Sequence, residues 1–326
     1  MKYLGNKWLI TDFINSKNII AFNNLVFSGN SHSVLSEIQT NNKYNPHFHY
    51  GDHLLYFNPV NIEQDADGYY SYLSPSKNFF SDKEDIIGYS GYKRRMWTQG
   101  KITFPQPLPS QLNFEMNKTY QCLEKIKYVK ILANNAFINI EREIYPCLND
   151  SSFKPSIQKL TDDEYNSLST KNVNNMVVKE TRMLMYTNEL YNSNCNNYTN
   201  RICGTNEKLL TSPQSIRKYS EITNNPHRIH LDAQYCWLEE KLPDVIMHGP
   251  FSIQLILRNF IACHPNLNIK SIDYKNRNPI FANANISFEI KPVPNRSNIY
   301  QSNIINTLDS QILVESKIHV EKNPCV

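Results

Sequence analysis

An α+β fold is predicted for this 326-residue chain by three features. A long apolar helix follows a Gly-Pro start near residue 250, strands alternating apolar and polar residues come after it, and the N-terminal half repeats the same order in weaker form. A helix that is apolar nearly all round has to be covered on every side. A curved antiparallel sheet wrapped around it is a layer arrangement that does this.

In the N-terminal half, His49-Tyr50-Gly51-Asp52-His53-Leu54-Leu55-Tyr56-Phe57 reads as a shortened helix start, followed by a strand in RRMWTQGKITF at residues 94–104. Further strands are expected around Tyr128–Leu132, Phe137–Ile144 and Met176–Tyr186. The asparagine-rich stretch from Glu189 to Glu207 has linker composition. The expected organisation is an N-terminal unit over 1–188, a linker over 189–208 and a C-terminal unit over 209–326. In that second unit Pro250 suits the first position of a helix, where its missing N–H is no loss. Phe251, Ile253, Leu255, Ile256, Leu257, Phe260 and Ile261 leave the helix little polar face. Ile286, Phe288 and Ile290, and then Val314, Ser316, Ile318 and Val320, keep the period of two of a sheet with one face on the core.

Functional groups concentrate in residues 211–251. His227 and His230 stand three apart, Asn225 lies five before His230, and His248-Gly249-Pro250 opens the apolar helix. Imidazoles transfer protons near neutral pH. A glycine amide at a helix N-terminus has no intrahelical partner, sits at the positive end of the dipole and carries no side chain, so it can bind a carbonyl oxygen that gains negative charge.

The same residues carry a resemblance. SPQSIRKYSEITNNPHRIHLD followed by VIMHGPF is similar to the C-terminal half of the hot-dog-fold (MaoC-like) hydratases and dehydratases of 3-hydroxyacyl thioesters, in the branch with the motif T-x-N-x-H-R-I-H. KRRMWTQGKITFPQPL resembles the R-R-M-W-x-x-G-x-x-x-F segment of that branch, whose fungal members are the mitochondrial type 2 dehydratases of fatty acid synthesis. The resemblance implies a double hot-dog fold, two fused units each with an antiparallel sheet around a central helix. The N-terminal unit lacks the histidine motif and supplies the partner surface, giving one active site per chain and allowing a functional monomer. It also implies reversible dehydration of (3R)-3-hydroxyacyl thioesters, carried on acyl carrier protein or CoA, to trans-2-enoyl thioesters, without a metal or other cofactor, in the mitochondrion.

Carried over by position, His230 transfers the proton between C2 and the leaving 3-hydroxyl, Asn225 and His227 hold that hydroxyl or water, and Gly249 N–H stabilises the enolate-like oxygen. Asn225 departs from the wider relatives, which have Asp there, because a carboxamide orients but does not accept a proton as a base. Arg94 and Arg95 are candidates for the phosphates of CoA or a pantetheine arm, or for a solvated turn. Arg228 is a candidate for the same phosphates or for an ion pair with Asp232. Hydration of short dicarboxylic acyl-CoA esters and a non-catalytic thioester-binding scaffold are the alternative functions, the latter favoured by Asn225.

Composition narrows the classes. Hydrophobic content of 40% and aromatic content of 12% exclude a mainly disordered chain, and a net charge of +4, with lysines and arginines dispersed among 30 acidic residues, lacks the basic concentration of a nucleic-acid binder. The apolar run at 251–263 is too short and too polar to span a membrane. Seven cysteines without a C-x-x-C pair read as reduced thiols, and five N-x-S/T sequons lack a secretory signal before them. The first 22 residues, with Lys2, Lys7 and Lys17 but no arginine, make a weak presequence. His47, His49, Asp52 and His53 have a spacing that a metal could use, but no further ligand pattern accompanies them, and no metal site is expected.

Overall fold

A computed structural model of the chain describes residues 6–27, 48–58, 62–73, 92–105, 115–147, 155–191 and 211–322. His47 and nearly all of the expected linker lie outside the described residues. The strands are β1 (Lys7–Ile14), β2 (Arg94–Thr103), β3 (Lys118–Leu132), β4 (Asn135–Pro146), β5 (Ser156–Leu160), β6 (Val178–Thr187), β7 (Leu267–Asn276), β8 (Ile286–Val293), β9 (Arg296–Asn306) and β10 (Ile312–Lys322). They form one sheet in the order β5-β1-β3-β4-β6-β2-β7-β10-β9-β8. Every pairing in it is antiparallel.

The seam between the two halves is β2 against β7, from Gln99 opposite Lys275 to Thr103 opposite Ser271. Outward from it the order runs β2-β6-β4-β3-β1 on one side and β7-β10-β9-β8 on the other. On each side the seam strand pairs with the last strand of its own half, so the strand order recurs. The fold class is the expected α+β one.

Four helices matter to the packing: α1 (Ser16–Phe27), α2 (Asp162–Asn172), α3 (Pro213–Ile222) and α4 (Gly249–Cys263). Of the first 22 residues, read as a weak presequence, 7–14 form β1 and 16–22 begin α1. Asn15 Oδ1 accepts from Asn18 N at 3.3 Å at the start of α1, and Ile19, Phe22 and Val26, spaced three and four apart, turn into the core. At α2 the side chains of Thr161 and Glu164 accept from each other's backbone N–H, a reciprocal cap that the N-terminal reading did not anticipate. Ser212 caps α3 by accepting from Ser215 N at 3.1 Å, with Pro213 at the first turn.

Helix α4 is the centre of the fold. Phe251, Ile253, Leu255, Ile256, Leu257 and Phe260 are fully buried, each worth about 1.5–3 kcal/mol of transfer free energy as an upper bound. Tyr219 of α3 stacks on Phe251 at 4.5 Å between ring centroids, and Phe22 of α1 meets both rings edge-on at 6.0 Å. The polar side chains of α4 are also used. Gln254 accepts from the Tyr219 hydroxyl at 2.6 Å, and Arg258 donates to both oxygens of Asp52 at 2.8 and 3.0 Å. Asp52 belongs to the expected shortened helix start, which is a single buried 3₁₀ turn, Asp52–Leu55. A buried ion pair thus ties that turn to the central helix across the two halves.

Candidate active site

Ahead of α4 the chain runs from the end of α3 through a short 3₁₀ turn, Arg228–His230, and this places Asn225, His227, His230 and Gly249 around one cavity of about 440 Å³. That volume suits a small-molecule ligand. The cavity is lined by exposed Lys93, Met96 and Arg277 and by buried Leu54, Phe57, Leu73 and Ile140 of the N-terminal half. The exposed lining carries the charges of Lys93, Glu189 and Arg277, and the buried lining from the N-terminal half is apolar.

His230 is nearly buried, and its Nδ1 lies 2.6 Å from the carbonyl of Ile246. A carbonyl only accepts, so Nδ1 carries the hydrogen and Nε2 keeps its lone pair, with no protein partner among the described residues. The ring stacks on His248 at 3.6 Å and meets His227 edge-on at 5.4 Å. Burial, reinforced by the neighbouring His227 imidazole, pushes His230 down to about 3, so it is neutral at physiological pH. His248, fully buried with Nε2 at 2.8 Å from Ser220 Oγ, is pushed well down by the same desolvation.

Asn225 shapes the loop. Its Oδ1 accepts from His227 N at 3.1 Å, which leaves the Nδ2 hydrogens as the groups it can offer to a ligand oxygen. Gly249 opens α4, preceded by His248 in an extended conformation. A Cβ at this glycine would come within 2.9 Å of Asn276 Nδ2, which itself donates to the Trp97 carbonyl at 2.7 Å. Only a bare backbone fits beneath that pair.

His227 has a partner that sequence reading did not supply. Its Nε2 is 3.1 Å from Oδ2 of Asp67, a residue of the other half of the chain. Arg95 lies behind Asp67, donating to it from Nε at 2.8 Å and from Nη2 at 3.1 Å, and to Asp65 at 2.5 Å. Burial would raise the Asp67 carboxyl, but His227 and Arg95 outweigh it and hold the group well below the usual carboxylate range. Asp67-Gly68 is a recognisable turn signal, yet nothing in a one-dimensional pattern says what a turn will touch 160 residues later. Gly68 has φ +82°, and a Cβ there would meet the Pro226 carbonyl at 2.9 Å, so the turn presses directly on the His227 loop.

The three arginines take different places. Arg95 faces inward and its guanidinium is occupied by Asp65 and Asp67. Arg94 forms an ion pair with Glu240 and donates to the carbonyls of Asn188 and Glu239 at 3.0 Å, on the cavity wall. Arg228 points outward to Asp232 at 3.0 Å and over the Tyr235 ring at 4.0 Å, the ion pair weighed above. Of the metal-like stretch, Asp52 is taken by Arg258 and His53 is buried 3.9 Å from Glu180. Among the described residues no group of three or more histidine, cysteine or acidic side chains could hold a metal ion, and no helix is long and apolar enough to cross a membrane.

Comparison with known proteins bears on this arrangement. Solved structures share the fold: a MaoC-like dehydratase from Phytophthora capsici, 11% identical, aligns over 99% of this chain and 96% of its own with a TM-score of 0.57. The hydroxyacyl-thioester dehydratase type 2, mitochondrial, of Saccharomyces cerevisiae is 30% identical over 284 residues, 86% of each protein. The protein of the same name in Schizosaccharomyces pombe is 27% identical over 242 residues, 72% of this chain and 74% of its own. The family model for hydroxyacyl-thioester dehydratase type 2 matches residues 51–282, which include Asp67, Arg95, the 225–230 loop and the start of α4. With the match spanning both walls of the cavity, the chain belongs to the hydroxyacyl-thioester dehydratase type 2 family.

Proposed function

We propose that this protein reversibly dehydrates (3R)-3-hydroxyacyl thioesters to trans-2-enoyl thioesters, in mitochondrial type II fatty acid synthesis, as a hydro-lyase. The observation that carries the reading is the convergence of two imidazoles, a carboxamide donor and a helix N-terminal glycine amide on one half-apolar cavity. Elimination of water next to a thioester needs a base for the C2 proton, a donor for the leaving 3-hydroxyl and a positive group for the enolate oxygen. His227 and His230 serve the proton, Asn225 Nδ2 orients the hydroxyl, and Gly249 N–H takes the oxygen. The apolar lining of Leu54, Phe57 and Leu73 suits the acyl chain. Arg94, on the cavity wall, is the candidate contact for a phosphate of CoA or of a carrier-bound pantetheine arm, whereas Arg228 is engaged outside the cavity by Asp232. The two halves, divided at the 189–208 stretch, together build one site, which a single chain completes without a second copy.

The test is hydration of trans-2-enoyl-CoA by the full chain, followed as loss of the conjugated enoyl absorbance. The wild type turns over, and the His227→Ala/His230→Ala double variant, with an unchanged circular dichroism spectrum, loses at least about 10⁴-fold in kcat/KM. A folded double variant with near-normal turnover refutes the assignment.

A further inference from the structure

We propose that Asp67 is a positioning residue for catalysis. It is contributed by the N-terminal half and clamped by Arg95, it makes His227 the group that carries the proton, and it leaves His230 as a neutral hydrogen-bond acceptor. This inference rests on the dehydratase reading above and assigns roles within it.

The carboxylate of Asp67 is saturated. Oδ1 accepts from Tyr69 N at 3.0 Å and Arg95 Nη2 at 3.1 Å, and Oδ2 accepts from Arg95 Nε at 2.8 Å and lies 3.1 Å from His227 Nε2. An ionised carboxylate has nothing to donate, so the hydrogen of that fourth contact sits on His227 Nε2. The lone pair of neutral His227 is therefore on Nδ1, for which no protein partner is found among the described residues. A proton taken up there makes a cation backed by an anion, the arrangement that stabilises an imidazolium in a His-Asp pair. His230 has the opposite surroundings. Its Nδ1–H meets only the Ile246 carbonyl, and its ring lies between His248 at 3.6 Å and His227 at 5.4 Å, so a charge there feels Asp67 only at a distance, with no direct carboxylate contact among the described residues, and faces two other imidazoles.

The surroundings of His227 are accounted for on each side: Asp67 at Nε2, the Tyr69 ring at 5.7 Å and the His230 ring. Behind these stand Arg95, Asp65 and His248, while the Arg228 guanidinium turns away to Asp232. The backbone holds the pair in register. Asp67 O accepts from Arg228 N at 2.9 Å, and the Tyr70 hydroxyl donates to Asn224 O at 2.8 Å, on either side of His227.

In the dehydration direction His227 Nδ1 takes the proton from C2, and the C–H electron pair moves into the thioester as an enolate whose oxygen is held by Gly249 N–H. The pair then returns to form the C2–C3 double bond as the C3–O bond breaks. The leaving oxygen takes the proton from His227 and departs as water, and His227 is neutral again. Throughout, His230 Nε2 accepts a hydrogen bond from that oxygen's O–H and Asn225 Nδ2 donates to the oxygen. No oxidant, metal or outside acid enters the balance.

The experiment measures kcat and KM for trans-2-enoyl-CoA hydration across pH in the full chain and in Asp67→Asn, His227→Gln and His230→Gln. In Asp67→Asn the carboxamide can donate to Nε2 and hold the unproductive tautomer. We expect kcat to fall about 10²–10⁴-fold with KM little changed, and the acid limb of the profile to move to lower pH once the anion is gone. His230→Gln lowers kcat but retains the acid limb, and His227→Gln removes it. Asp67→Asn within threefold of wild type and with the same limb overturns the proposal, as does a limb that survives His227→Gln and vanishes in His230→Gln. Should Asp67→Asn misfold, ¹⁵N spectra of the wild-type histidine rings decide. A hydrogen resident on His227 Nε2 with His230 neutral supports the proposal, and His230 protonating before His227 overturns it. A wild type without hydratase activity removes the dehydratase reading, while the ring spectra still report on the dyad.

Discussion

Mild acid should destabilise this protein through its buried histidines. His53 and His230 are pushed down to about 3 by burial and His248 is pushed well down, so all three fold as neutral rings. In the unfolded chain they return to the ordinary histidine value near 6.5, and between pH 6.5 and about 3 the unfolded state binds more protons than the native one. Stability therefore rises with pH through this window and is lost as pH falls. From pH 7 to 5.5 each ring contributes just over 1 kcal/mol of loss, about 4 kcal/mol for the three. His264, displaced the same way but partly exposed, adds little. The carboxylates held low, Asp67, Glu141, Glu143 and Glu180, act only at lower pH, while the carboxyls of Asp12 and Asp52, raised by burial, take up protons in the native state and offset part of the loss. For a chain of this length the melting temperature should drop by about 6–10 °C. The assay is thermal unfolding by circular dichroism at constant ionic strength between pH 7 and 5.5, together with proton uptake on denaturant unfolding at pH 5.5, expected to approach three. In His53→Leu, which removes a ring with both nitrogens unpartnered by hydrogen bonds, the slope should fall by about one third. A melting temperature that is flat or rises on acidification refutes the reasoning.

The buried pair between halves gives a second expectation. Asp52→Ala leaves the Arg258 guanidinium without its carboxylate and should cost about 3–5 kcal/mol in chemical denaturation, whereas Asp52→Ala combined with Arg258→Met should recover most of the loss. A double variant no more stable than the single one would show that the charge left behind is not the cause. Gly68→Ala forces a side chain into φ +82° and against the Pro226 carbonyl, which should cost about 1–3 kcal/mol and depress kcat more than stability, because the turn carries Asp67. Gly68→Asn, which tolerates that conformation better, should be milder; equal activity in both variants and wild type would contradict the tight docking.

Helix α4 was legible because two local signals coincide, a Gly-Pro start and apolar residues on every face, and because burial on every side needs no knowledge of partners. Strands β8 and β10 were legible for the same reason, through a period of two. The histidine loop was found through its motif, and the cavity does gather His227, His230, Asn225 and Gly249. What escaped depends on distance in sequence. Asp67 and Arg95 belong to the site only because β2 and the 65–68 turn fold across onto the C-terminal half. Arg95 reads as part of a basic cluster until its two aspartates are seen beside it. β1 and α1 escaped because an apolar stretch with sparse lysines has the same local composition in a presequence and in a core strand and helix. The 3₁₀ turn at Asp52–Leu55 was placed correctly as a short helix start, and its spacing suggested metal ligands only because the guanidinium that occupies Asp52 lies 206 residues away.

The seam between β2 and β7 makes the proposed site indivisible. A fragment cut to the recognisable motif, residues 209–326, would keep both imidazoles, the glycine amide and the central helix, yet it would lack Asp67 beside His227, Arg95 behind it and the apolar N-terminal lining of the cavity. It would also present the bare edge of β7, a row of unpaired amides and carbonyls ready to pair with another copy. Such a fragment should self-associate rather than catalyse.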